Sequence, residues 1–376
     1  MDISKDASNC GACAKKCSGS NICLAGSCAC TLDFASAVSY PTSGIHTASV
    51  AIAELSGDSQ ADVVVTSWYG VDVFINQGNG VLGANSFYFT GTTPLSVAVR
   101  DVNGDGKPDL AVANYEDSTV SVLLNQGNGT FAPKVDYPAG DHPESVALGD
   151  LNGDGKTDMA VANAYAGTLS VLINQGSGNF SAKVDYTTGA TPSALAIGDL
   201  NGDGKADLAV GNSYDKTVSV LLNQGNGTFA PKVDYPAGDN PQTVALGDFN
   251  GDGKIDLVEG NYWDHTVSVF MNQGNGILAA KVDYVTGGGL PISVAPGDLN
   301  GDGRTDLAVA TADYSVRVLV NNGNGTFASS LDFGVGWGNT STRSVALGDL
   351  NGDGKPDLAV ADSGNSSVSV LISSCN

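Results

Sequence analysis

No apolar run of about 18 residues, the length a membrane-crossing helix needs, occurs in this chain of 376 residues. Nor does any stretch show the 3.6-residue spacing of an amphipathic helix. Basic residues are scarce: Lys and Arg number 17 against 40 Asp and Glu, a net charge of −23. That excludes nucleic acid as a partner, since phosphate backbones require a basic surface, and it argues against anionic membranes. The opening MDISKDASN lacks the basic start and apolar run of a signal peptide, so the expectation is a chain that begins at a processing boundary. The three histidines, His46, His142 and His265, stand in non-equivalent places with no evident partner set. With no nucleophile motif and no phosphate-binding glycine loop either, the protein is not expected to be an enzyme.

Cysteine is confined. Six of the seven lie within residues 10–30, as Cys10, Cys13, Cys17, Cys23, Cys28 and Cys30. They are spaced C-x2-C-x3-C-x5-C-x4-C-x-C among small polar residues that cannot build a core. Cross-links must hold such a segment, and disulfides in an oxidising compartment fit better than zinc, because no histidine lies near. Residues 1–31 are therefore read as a Cys-rich N-terminal segment of a secreted or cell-surface protein, bacterial in composition.

What the chain has in abundance is glycine, 50 residues, about twice ordinary usage. The glycines fall in repeated loops and turns, among them a nine-residue stretch that keeps returning: DVNGDGKPD at 101–109, then copies starting at 150, 199, 248, 298 and 349. A seventh, worn copy, ELSGDSQAD, occupies 54–62. A period near 50 is read as a repeat before anything else. In the unit 145–193, SVALGD, MAVANA, TLSVLINQ and FSAKVDY each read as a short strand, separated by turn residues. Four strands per unit and no helix predict an all-β, seven-bladed propeller over 32–376, with a parallel β-helix as the alternative. An aromatic recurs in every fourth strand, at Tyr40, Tyr88, Tyr137, Tyr186, Tyr235, Tyr284 and Phe333, and is expected to pack between neighbouring blades.

The first such strand, 32–40, precedes any complete unit, and the last unit stops after its third strand. The N-terminal strand is thus expected to complete the C-terminal blade, leaving no open edge at the seam. Counted by repeat position, Cys375 and Cys30 both fall where Gly127 lies, so Cys375 is expected to pair with Cys30, or failing that Cys28. Such a bond would close a loop of more than 340 residues, worth on the order of 5 kcal/mol in chain entropy.

In the nine-residue loop, oxygen side chains fall at positions one, three, five and nine, with glycine at six for the sharp turn and a carbonyl at seven. Three carboxylates and hard oxygens suit Ca2+, about six ions in all. The ligands expected are Asp101, Asn103, Asp105, the Lys107 carbonyl and Asp109 in the first good copy. They are Asp150, Asn152, Asp154, Lys156 and Asp158 in the second, and Asp199, Asn201, Asp203, Lys205 and Asp207 in the third. The fourth offers Asp248, Asn250, Asp252, Lys254 and Asp256, and the fifth Asp298, Asn300, Asp302, Arg304 and Asp306. The sixth offers Asp349, Asn351, Asp353, Lys355 and Asp357. Six divalent cations would bring the net charge to about −11. An EF-hand is excluded because position twelve is apolar, for example Val112 or Val161. The worn copy has Ser59 where glycine belongs and is expected to bind weakly or not at all.

These loops, followed by strands such as LAVAN and the turn-strand NQGNGTFAPKVDY, resemble FG-GAP/VCBS repeats over 32–376. The resemblance implies the integrin-α-like propeller, calcium on one face and ligands on the other, and a family that includes fungal lectins for N-acetylglucosamine-type sugars. The loops expected on the second face differ most among the copies and hold Trp68, Tyr69, Tyr115, Tyr165, Tyr214, Tyr262, Trp263, Tyr314 and Trp337. Interleaved with Asn and Asp, these rings either stack on a glycan or pack the loop bases. The expected function is a carbohydrate-binding lectin or adhesin for a glycan or glycoprotein. A protein-interaction module and, further off, a polysaccharide-active enzyme stand as alternatives.

Overall fold

The computed structural model describes residues 22–24, 27–29, 32–335 and 341–374. Every strand of the repeat region belongs to an antiparallel sheet, and no helix occurs among the described residues. One blade serves for all: Pro143–Gly149, Asp158–Asn163, Thr168–Leu172 and Val184–Thr187, paired in that order from the inside out. Blades 1 to 7 open at Val50, Pro94, Pro143, Pro192, Pro241, Pro291 and Thr342. The second strand is buried along its whole length, because a sheet packs on each of its faces. Hence it reads as a continuous apolar run rather than an alternating one.

There is no single core. Burial is divided into seven seams between adjacent sheets, such as Ala111, Ala113, Val120 and Val122 of blade 2 against Met159, Val161 and Leu172 of blade 3. The recurrent outer-strand aromatics lock those seams as expected. Tyr137 meets Phe180 edge-on at 5.3 Å between centroids, and its hydroxyl donates to the Gly178 carbonyl at 3.0 Å. Tyr88, Tyr186 and Tyr284 repeat both contacts with the next blade, and Phe333 meets Phe34 at 5.0 Å.

The ring closes as the repeat pattern predicts. Val38–Pro41 pairs with Ser367–Leu371 as the outer strand of blade 7, with Tyr40 opposite Val368. One expected strand is broken, however. FSAKVDY does not run continuously: Phe180 pairs with Asn174 in a small separate ladder, and the outer strand is only Val184–Thr187. The cause is Asn174, whose backbone N–H is drawn to the buried Asp158 carboxylate at 2.7 Å and so leaves the sheet. In the N-terminal segment, Ile22–Leu24 pairs with Ser27–Ala29, with Cys23 opposite Cys28. Cys30, Cys375 and Trp337 lie outside the described residues, and the expected disulfide with them.

Candidate metal loops and ligand-binding face

Because loops one-to-two and turns three-to-four leave the same end of each blade, the aspartate loops gather on one face. Within 101–109, Asp101 accepts the backbone N–H groups of Asn103, Gly104 and Gly106 at 2.7 to 3.1 Å. Asn103 Oδ1 accepts from Asp105, and Asp105 from Lys107. Gly104 and Gly106 take φ of +82° and +83°, a region that favours glycine. In the worn loop Ser59 adopts φ +71° all the same, and Glu54 takes over the capping of Ser56 and Asp58.

Position nine has a second duty that the spacing alone did not show. Asp109 is fully buried, and its two oxygens accept the N–H of Val102 and of Asn125 at 2.9 and 2.7 Å. Asp62, Asp158, Asp207, Asp256, Asp306 and Asp357 do the same in their blades. The asparagine so anchored then reaches across the seam: Asn174 Nδ2 donates to the Val102 carbonyl of the preceding loop at 2.7 Å. Asn76, Asn125, Asn223, Asn272 and Asn321 make the equivalent bond, and Asn76 makes it to Leu350 across the closure.

Burial raises the Asp109 carboxyl above the ordinary range, and the Asp105 and Asp101 charges add to that. Burial pushes Asp306 up to about 7. Asp154 moves the other way, held low by the Lys156 ammonium and amide. Among the described residues, no three His, Cys, Asp or Glu side chains converge closely enough to hold a metal ion. The donor set nevertheless fits a hard cation. Three mutually repelling carboxylates and an amide oxygen share one glycine-turned loop, and a divalent ion is the counter-charge that would offset that repulsion.

The other face carries the expected aromatics. Tyr165 and Tyr214 are 72% and 79% exposed, Trp263 and Tyr69 60% and 52%, and Tyr314 37%. Trp68, Tyr115 and Tyr262 are half-buried. They fall in small clusters: Trp68 meets Tyr69 at 6.3 Å on blade 1, and Tyr262 meets Trp263 at 4.7 Å on blade 5. Contrary to the sequence reading, two histidines are equivalent and partnered. His46 and His142 both precede the first strand of a blade with φ of 58° and 56°. His46 stacks on Trp68 at 4.7 Å, and His142 lies between Tyr115 and Tyr165 at 4.5 and 4.2 Å with Asp141 at 2.8 Å from Nδ1. The sequence hid this because Thr47 stands where five of the other copies show proline, as at Pro143.

Two cavities open on this face. The axial mouth, about 320 Å³, is lined by residues of the first strand in six blades and by Ala48 and Ser49, just before it, in blade 1. Serine and threonine hydroxyls ring it: Ser344 accepts from Val50 N, Ser49 from Val97 N, Ser96 from Val146 N, Thr243 from Val294 N and Ser293 from Val345 N. Glu144 projects into this mouth, where burial pushes its carboxyl up to about 7. Tyr115, nearby, is pushed up to about 12 by burial and then by the Glu144 charge. Beside the mouth runs a groove of about 230 Å³ lined by His46, Trp68, Pro94, Leu95, Arg343 and Ser363, among others. Clefts of 450, 320 and 360 Å³ on the aspartate face contain no aromatic ring.

The FG-GAP-like repeat family matches residues 54–112, 101–161, 150–210, 199–259, 260–309 and 298–360. No curated protein sequence matches the chain. Among solved structures, an Agrocybe aegerita lectin described as recognising non-reducing terminal N-acetylglucosamine is 20% identical, with a TM-score of 0.55 over 79% of this chain and 80% of that one. BBS1N, described in complex with ARL6DN, is 15% identical with a TM-score of 0.64, over 90% of this chain and 96% of that one. At these identities the likeness is one of fold.

Proposed function

The chain belongs to the FG-GAP-like repeat family, and from that premise we propose a secreted or cell-surface, calcium-stabilised propeller that binds carbohydrate and is not an enzyme. The observation that carries the reading is the groove in which Trp68, braced by His46, forms an aromatic wall beside Pro94 and Leu95. An apolar wall with a few polar groups at its rim suits the C–H face and hydroxyls of a sugar ring. The lectin among the structural neighbours supports the same reading.

Calcium would be held by Asp101, Asn103, Asp105, Asp109 and the Lys107 carbonyl, and by their counterparts in the five other good loops. It would supply neutralisation of the loop carboxylates, fixing the scaffold that presents the groove. The chain's own part is to hold position nine rigid through two backbone bonds and to turn positions one to six with glycine.

A glycan array, run with and without a chelator, tests the proposal. Glycan signals that vanish in Trp68→Ala support it. A second reading is a protein-interaction module, favoured by the exposed rings of Tyr165, Tyr214 and Trp263 on three successive blades. A silent array at high protein concentration would favour that module, and a silent array with polysaccharide turnover would favour an enzyme.

A further inference from the structure

Arg343 stands apart from the other cations of the protein. Among the described residues, nearly every Lys and Arg is tied to a carboxylate, and Arg100 to the Leu148 carbonyl. Arg343 and Lys355 have no such tie, and Lys355 belongs to an aspartate loop. Arg343 instead lines both the Trp68 groove and the axial mouth, at the point where Ala48 and Leu95 also border the two. Its neighbours in the groove are apolar or hydroxylated, with His46 the one other titratable group. In the mouth the one acid is Glu144, on blade 3, while Arg343 is on blade 7. Blades 3 and 7 face one another across the axis, and no ion pair joins the two side chains.

We propose that the groove takes a saccharide ending in a single uronic acid, with its ring face on Trp68 and its carboxylate on the Arg343 guanidinium. This rests on the carbohydrate reading above and specifies its ligand. A planar guanidinium with free donors recognises a carboxylate in bidentate fashion, which neutral hydroxyls cannot match. One carboxylate is the limit, because a chain of net charge −23 repels a polyanion beyond the reach of one guanidinium. The mouth offers further donors. Ser344, Ser49 and Ser96 use their oxygens to accept backbone N–H groups, which leaves each hydroxyl proton for a ligand oxygen.

The test is a paired array: oligosaccharides ending in glucuronate or galacturonate beside their carboxyl-reduced, neutral counterparts, probed with the calcium-loaded full chain. The expected result is a loss on the order of tenfold or more on carboxyl reduction, since one charged contact of this kind is worth at least that much. Arg343→Gln should cut the preference for acidic over reduced glycans by the same factor, with an unchanged melting temperature because the side chain holds nothing else in place. Equal binding of acidic and reduced glycans overturns the uronate assignment and leaves the carbohydrate reading intact. Acidic binding that survives Arg343→Gln overturns the role of Arg343. An array with no signal for either set overturns both readings together.

Discussion

At one end of the propeller every blade repeats the same device: a buried aspartate at position nine, two backbone N–H groups upon it, and in six blades an asparagine reaching back to the previous loop. At the other end the residue before the inner-strand hydroxyl position is Ala48, Leu95, Glu144, Ser193, Gln242, Ile292 and Arg343, no two alike. The backbone there is nearly as regular, since six of the seven first strands begin at the same place in their blade and only that of blade 1 starts later, at Val50. Regularity of the chain therefore does not require regularity of side chains. It is required where a side chain carries the join between blades, and relaxed where a side chain faces solvent in a cavity.

The widest separation between the faces is expected from metal removal. If calcium neutralises the loop carboxylates, each saturated site adds about 2.7 kcal/mol at a hundredfold excess over its dissociation constant. Chelation should then lower the melting temperature strongly, as read by scanning calorimetry. An unchanged melt with and without chelator would remove calcium from this account of the aspartate face.

Next in size is Asn174→Ala. It deletes donors to Val102 and Thr157 and the acceptor for Gly176. With buried partners left unpaired, a loss of about 2–4 kcal/mol is expected in urea unfolding. A loss within 0.5 kcal/mol, the scale of an ordinary surface change, would show that the inter-loop bond is incidental.

Glu259 tests the seam from within. It stands where Val112, Val161 and Val210 stand in other blades, is fully buried, and has Oε2 without a partner. Oε1 accepts from Gly238 N at 3.1 Å. Burial pushes its carboxyl up to about 8, so the folded state holds the proton after the unfolded chain has released it. Stability should therefore fall as pH rises from the ordinary glutamate range through about 8. Glu259→Val should stabilise by roughly 1–3 kcal/mol at pH 8 and flatten that dependence. Denaturation midpoints of both proteins across pH 5 to 9 would reveal it, and parallel curves would contradict it.

Smallest of all should be Tyr214→Ser. With 79% of the residue exposed, its loss is expected to shift stability by less than about 0.5 kcal/mol. A larger drop in thermal unfolding would mean that rings on the variable face hold their loops together, and the contrast between the faces would narrow.

Much of this was legible in residue order. The period of the aspartate loops revealed seven blades, and the unpaired strand around Tyr40 announced the closure onto Ser367–Leu371. The aromatic at Tyr137 and its counterparts could be placed between blades because it recurred at one position. Legibility failed where a residue does not repeat. Glu144 and Arg343 carry no motif, and nothing in their neighbours along the chain marks them as lining one mouth. His46 and His142 were misread because alignment of a short linker depends on one proline. The split of FSAKVDY escaped because a buried carboxylate competes with the ladder for Asn174, and local β-pattern does not register that competitor.

The sequence by itself determined the architecture and its chemistry of repetition: an all-β ring of like blades with hard-oxygen loops at one end. Only the tertiary structure decided that position nine is a buried joint as well as a loop oxygen, and that Trp68, Arg343 and Glu144 border connected cavities. The physical reason is the ring itself. A repeat imposes local contacts that any one unit already encodes, whereas closing seven units about an axis brings together first strands nearly 300 residues apart, from Ser49 to Ser344.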